Sequence, residues 1–165
     1  MAVAPVRVLF VCLGNICRSP LAEGVFKAQV EAAGLSDRFE IDSAGTGNWH
    51  VGHAPDQRML QTALGHTVFL TSRGRQFEYK DFDSFKHILV MDRSNLHDVL
   101  FLDRKERFSD RVKLFREFDP EPEDYQVPDP YYGGAEGFEQ VYGIVERTGE
   151  ALLASLVAHY GLARS

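Results

Sequence analysis

Strand-like and helix-like stretches alternate along the whole chain, which predicts an α/β fold: three layers, α/β/α, around a doubly wound, four-stranded parallel sheet. Three observations carry this. The run Val6-Arg7-Val8-Leu9-Phe10-Val11 is β-branched and apolar with little alternation, the pattern of a strand buried on both faces. Helical spacing begins one short loop later, and parallel strands need such helical crossovers. The last long stretch, residues 135–159, sets Phe138, Val141, Tyr142, Val145, Leu152 and Leu156 at helical steps, with Tyr160 just beyond and Gly143 and Gly149 weakening its middle.

In order, residues 6–12 form the first strand, and residues 20–33 a helix for which Ser19 is a preferred N-cap and Pro20 suits the first position. Residues 39–42 follow as a strand, a helix lies near 56–64, and the apolar run in 87–92 is the third strand. A helix over 95–102, a short strand over 112–114 and the helix over 135–159 complete the set. Right-handed crossovers between these strands make one doubly wound layer the expected outcome. No internal repeat, low-complexity tract or linker interrupts the pattern, and 165 residues with 44% apolar content suit one core, so residues 1–165 are expected to form a single domain.

No apolar run is long enough to span a bilayer and residues 1–5 are too short for a signal peptide, so membrane insertion is not expected and the default location is the cytoplasm. Two cysteines, Cys12 and Cys17, five apart in one loop, suit a reducing compartment better than a secreted scaffold. A net charge of −6 argues against nucleic acid as partner. Much of that acidity lies between Glu117 and Asp129, a proline-interleaved run expected to be a solvated loop.

The chemistry concentrates in Cys12-Leu13-Gly14-Asn15-Ile16-Cys17-Arg18-Ser19-Pro20, at a strand's carboxyl end and a helix's start. Loops so placed bind anions, because amide N–H groups and the positive end of the helix converge there. The expected first helical turn has no acid, as a bound dianion requires; Glu23 is the first. Gly14 is expected to supply torsional freedom, Asn15 tolerates a left-handed backbone, and Arg18 offers a planar fork for two phosphoryl oxygens. A cysteine in this field is expected to ionise below its free pKa of roughly 8.5. The loop is therefore a phosphate cradle, Leu13 to Arg18, with a nucleophile, Cys12, at its start. A phosphate monoester also needs a proton donor for its leaving group, and Asp129, stiffened between Pro128 and Pro130, is the candidate. By local sequence alone an ordinary turn is equally good.

The segment 12–20 after an apolar strand resembles the active-site loop of the low-molecular-weight protein tyrosine phosphatases. Ser43-Ala44-Gly45-Thr46, Ile88-Leu89-Val90-Met91-Asp92 with Ser94-Asn95-Leu96, and Asp129-Pro130-Tyr131-Tyr132 resemble that family's other landmarks in order and spacing. The resemblance implies hydrolysis of phosphotyrosine in proteins or peptides through a phosphocysteine, without metal or other cofactor. It assigns catalysis to Cys12, Arg18 and Asp129, a hydrogen bond to the sulfur to Ser19, and bracing of the loop to Asn15 and Ser43. It also implies a reversible Cys12–Cys17 disulfide; the alternative for Cys17 is a small buried support.

Leu13, Ile16, Trp49, Tyr131 and Tyr132 are the expected cleft walls. Some bacterial relatives that act on phosphoarginine carry threonine where Ile16 stands, so Ile16 resembles the tyrosine-specific members. Ser72 replaces a histidine common in the family, which predicts a shorter or water-bridged network around Asn15. Arg73 and Arg75 are candidates for selecting acidic peptides, with solvated charge the usual alternative. His50 and His53 are expected to be surface polarity rather than a metal pair. An arginine phosphatase, an arsenate reductase of the same fold and a non-catalytic phosphate-binding module are the rivals. A reductase would need further cysteines after Cys17, which the chain lacks, and a binding module would not need Asp129. The oligomeric state is not encoded in any visible pattern.

Overall fold

The computed structural model describes residues 3–131 and 133–163. Among these residues four strands, β1 (Val6–Cys12), β2 (Phe39–Gly45), β3 (His87–Val90) and β4 (Val112–Leu114), form one parallel sheet in the order β2-β1-β3-β4. Among the described residues five α-helices accompany them: α1 (Arg18–Ala32), α2 (Gln57–Gly65), α3 (Asp81–Ser84), α4 (Arg93–Leu102) and α5 (Ala135–Tyr160). The predicted α/β/α architecture and its four parallel strands are present.

β1 sits in the centre, so its side chains face two cores in turn. Val8 and Phe10 join Leu21 and Phe26 of α1, Met59 of α2, and Phe138, Val145 and Leu152 of α5. Leu9 and Val11 join Phe82 of α3, Val99 of α4 and the β3 residues Ile88 and Val90 on the other face. Phe10 meets Phe26 and Phe115 edge-on at ring distances of 5.8 and 5.2 Å, the arrangement that aromatic quadrupoles favour. This burial on both faces is why the first strand lacks a polar alternation.

The chain leaves β1 for β2 on one side and later returns to β3 on the other, so strand order reverses between β1 and β3. A crevice opens at such a switch point outside the carboxyl ends of the strands. Cys12 ends β1, and Asp92 stands just past the end of β3.

Several boundaries differ from the sequence expectation by one to three residues, α4 for example starting at Arg93 rather than Asn95, and three of them bear on the site. α1 begins at Arg18, with Cys17 as N-cap, rather than at Pro20 behind Ser19. β2 continues to Gly45, paired in register with Cys12. β3 stops at Val90 because Asp92 turns the chain into α4, its side chain accepting the Asn95 N–H at 2.8 Å. The acidic run after Glu117 is not simply solvated: Asp119 is buried, held by Arg116 at 2.8 Å and by Arg147 of α5 at 2.7 and 2.8 Å. No helix among the described residues is long and apolar enough to cross a membrane.

Candidate active site

β1 delivers Cys12 to the crevice floor, and the loop then curls back on its sulfur. Asn15, at φ +57°, adopts the left-handed conformation that turns its amide inward, and its N–H donates to Cys12 Sγ at 3.3 Å. Ser19 Oγ lies 3.0 Å from the same sulfur. The Ser19 hydroxyl has one hydrogen and its other acceptor, the Ala44 carbonyl, is farther at 3.4 Å, so a thiolate at Cys12 takes that hydrogen. Ser19 is thereby engaged as a partner of sulfur, and Cys17 stands at the N-cap with no side-chain capping bond. In the first turn of α1 the Arg18 and Ser19 N–H groups have no intrahelical acceptor and are left for an incoming anion, while Pro20 has no N–H and Leu21 donates to the Cys17 carbonyl at 3.2 Å. The torsional freedom falls on Asn15 rather than Gly14, which has no positive φ; a Cβ on Gly14 would stand 3.2 Å from His50 Cδ2, a tight approach.

Arg18 is almost wholly buried, and its Nη1 donates to Asp92 Oδ2 at 2.7 Å and to the Val127 carbonyl at 3.0 Å. Burial works against its charge, but the Cys12 sulfur and the Asp92 carboxylate more than offset this and raise its pKa. Its Nη2 faces Asp129, with Oδ2 at 3.7 Å. The segment bearing Asp129 is tied down on both sides: the Val127 N–H donates to the Met91 carbonyl at 2.8 Å, and Asp129 Oδ1 accepts the Tyr131 N–H at 3.0 Å. One carboxylate oxygen orients the turn and the other is left toward the guanidinium.

A chain of side chains holds the loop from behind. Asn15 Nδ2 donates to Ser19 Oγ at 2.8 Å and to Ser43 Oγ at 3.0 Å, while Asn15 Oδ1 accepts the Arg75 N–H at 3.0 Å. Ser43 in turn donates to the buried Glu23 at 2.6 Å, and Lys27 reaches the other Glu23 oxygen at 2.6 Å. The predicted gap opposite Ser72 is therefore closed by direct contacts: the Arg75 backbone and Glu23 complete the network. Gly45 allows the close approach this needs, since a Cβ there would sit 2.8 Å from the Leu13 carbonyl oxygen. Arg75 itself is committed to Asp81 at 3.0 and 3.1 Å and Asp42 at 3.1 Å, which removes it as a selector of acidic peptides; Arg73 is exposed.

Above the sulfur opens a cleft of about 310 Å³ lined by Cys12, Leu13, Gly14, Ile16, Cys17, Arg18, Trp49, His50, Asp129 and Tyr131. Trp49, 65% exposed, leans over Gly47, where a Cβ would lie 1.9 Å from its ring. Tyr131 also lines the cleft, with the Arg58 guanidinium 5.4 Å from its ring centre. Tyr132 lies outside the described residues. Cys17 is a free thiol, as is Cys12; burial and the charges of Asp56 and Cys12 push the Cys17 thiol up.

The predicted residues Cys12, Arg18, Asp129, Asn15, Ser19, Ser43 and Cys17 thus meet at one place, with Leu13, Ile16, Trp49 and Tyr131 around them. His50 corrects the expectation of simple surface polarity: its ring lines the cleft, with Nδ1 3.3 Å from His53 Nδ1. Sequence reasoning gave no role to Asp92, Glu23 or the Arg75 backbone. For Asp92 a signal existed, since an acid three residues before Asn95 at a helix start marks an N-cap. For Glu23, one helical turn past Ser19, none did. The assembled site has the parts for attack on an oxyanion ester: a sulfur under hydrogen bonds, a fixed guanidinium and a carboxylate at the rim.

A model of the family described as low molecular weight phosphotyrosine protein phosphatase matches residues 7–160. A low-molecular-weight protein tyrosine phosphatase of Streptomyces coelicolor is 44% identical over 152 residues, 91% of this chain and 93% of its own. A protein tyrosine phosphatase structure from Entamoeba histolytica superposes with a TM-score of 0.89 at 36% identity, covering 94% of this chain and 99% of that one. An arginine phosphatase structure from Drosophila does so with a TM-score of 0.84 at 33% identity, covering 90% and 96%.

Proposed function

The chain belongs to the low-molecular-weight phosphotyrosine protein phosphatase family and is a cysteine-dependent hydrolase; from this premise we propose which of its residues do the work. The Cys12 thiolate attacks phosphorus in line. The Arg18 fork and the backbone amides of residues 13–18 hold the non-bridging oxygens as charge develops on them. Asp129 protonates the departing oxygen, a contribution of about 10²–10⁴-fold, and as a carboxylate then takes a proton from the water that cleaves the phosphocysteine. Ser19 supports the sulfur as it leaves. The observation that carries these roles is the shared focus of the Asn15 N–H, the Ser19 hydroxyl and the buried Arg18 on Cys12, with Asp129 beside that guanidinium.

The substrates are tyrosine-phosphorylated proteins or peptides. The cleft suits a phenyl ring: Ile16 and Leu13 give apolar walls, and Trp49 and Tyr131 stand at its sides. The likeness to an arginine phosphatase favours phosphoarginine as second reading. The branched apolar Ile16 supports tyrosine. Phosphate release from phosphotyrosine and phosphoarginine peptides, without added metal, is the test: faster release from phosphoarginine reverses the assignment, and release from neither removes the proposed roles. We further propose that residues 1–165 act as one domain in the cytoplasm, and that the net charge of −6 keeps nucleic acid from being a partner.

A further inference from the structure

The sheet has a second edge. Because all strands are parallel, the amino-terminal ends of β3 and β4 lie at the side away from Cys12, and a pocket of about 220 Å³ opens there beside the last turns of α5. We propose that this pocket binds a small oxyanion carrying two negative charges, such as a phosphate ester or a sulfate. Lys86, His87, Arg111, Lys113 and His159 line it against one acid, Asp110. Three permanent cations therefore face one carboxylate on a chain whose net charge is −6.

The two lysines are not already spent. No salt bridge or hydrogen bond engages the side chains of Lys86 or Lys113 among the described residues. Arg111 is fixed by its Nη1, which donates to the Phe82 carbonyl at 2.7 Å, so its position is set before any ligand arrives. His87, half-buried at the start of β3, places one ring nitrogen 2.6 Å from the Tyr160 hydroxyl. Burial first, and then the neighbouring His159, Lys113, Lys86 and Arg111, hold its pKa down to about 4. The carboxyl end of α5 contributes about half a negative charge, too little to cancel the surplus. At about 220 Å³ the pocket has room for one tetrahedral anionic group.

Sulfate is the probe, because it keeps both charges across the range in which histidine titrates. In amide NMR of the whole chain, the resonances of Lys86, His87, Lys113 and His159 are expected to move saturably with sulfate and not with chloride at matched ionic strength. The His87 titration midpoint is expected to rise by about one unit, the mark of roughly tenfold tighter binding to the imidazolium form. The double variant Lys86→Glu, Lys113→Glu is expected to lose both responses while keeping phosphatase turnover. Sulfate shifts confined to residues 12–18, or shifts at the pocket that chloride reproduces, overturn the inference and leave the catalytic reading standing. Turnover failure with an intact pocket response does the reverse.

Discussion

Asp92 ties Arg18 to the start of α4: one carboxylate oxygen accepts from Arg18 Nη1 at 2.7 Å and the other from the Asn95 amide at 2.8 Å. One residue thus sets both a helix start and the guanidinium on which the phosphoryl oxygens depend. Asp92→Asn keeps a capping acceptor as good as the original and removes the charge that fixes Arg18. The thermal midpoint is expected to stay close to that of the parent while kcat/KM for a phosphotyrosine peptide falls about tenfold, ~1.4 kcal/mol. Unchanged kcat/KM would show that Asp92 does not position Arg18 during the reaction.

Asp129→Ala is expected to slow aryl phosphates with poor leaving groups by about 10²–10⁴-fold and those with good leaving groups much less. The slope of log kcat against leaving-group pKa is the measurement. An equal loss across the series would mean that Asp129 shapes the cleft without moving a proton.

At Asn15 a backbone demand and a side-chain demand coincide. Asn15→Ala loses both while Asn15→Gly loses only the side-chain bonds, so both variants are expected to turn over slowly, with the alanine form less stable by about 1 kcal/mol in urea unfolding. Full activity in the glycine form would reduce Asn15 to a turn residue.

The buried Cys17 thiol, pushed up by burial and by Asp56 and Cys12, is expected to wait as a protonated partner for an oxidised Cys12. Peroxide-inactivated parent is expected to recover with thiol and Cys17→Ser to recover poorly. Mass spectrometry showing no Cys12–Cys17 bond in the inactivated parent counts against this protection.

Asp119 couples stability to acid. Its burial alone would raise its pKa, but hydrogen bonds from Arg147 and Arg116 outweigh this and lower it. A depressed folded pKa means stability that is present above the unfolded value, roughly 3.9, and lost as pH falls toward the folded one. Asp119→Asn is therefore expected to cost about 3 kcal/mol near neutrality, where breaking a buried pair is dear, and to flatten the acid limb below about pH 4. An unchanged acid limb in chemical unfolding would show that another carboxylate carries it.

Much of the fold was legible because β1, α1 and α5 announce themselves through long, regular apolar patterns. The cradle was legible because its residues are contiguous. Boundaries were harder: Ser19-Pro20 reads as a helix start by local rules, yet Ser19 is drawn to the Cys12 sulfur, an interaction across the loop that local capping chemistry does not contain. Glu23, Asp92 and the Arg75 amide escaped because each acts on the loop from a distant segment or from a helix face. His50 escaped because a Gly-rich surface loop gives no hint that it folds against Gly14.

The hold of Asp92 and Val127 on Arg18 has a thermodynamic cost that falls before catalysis. A free arginine side chain carries about 2 kcal/mol of rotational entropy, and here much of it is surrendered as the polypeptide folds. Encounter with a substrate then demands little further ordering of this group. Variants that loosen it can melt like the parent and still work sluggishly, so heat-denaturation screens would pass over the damage.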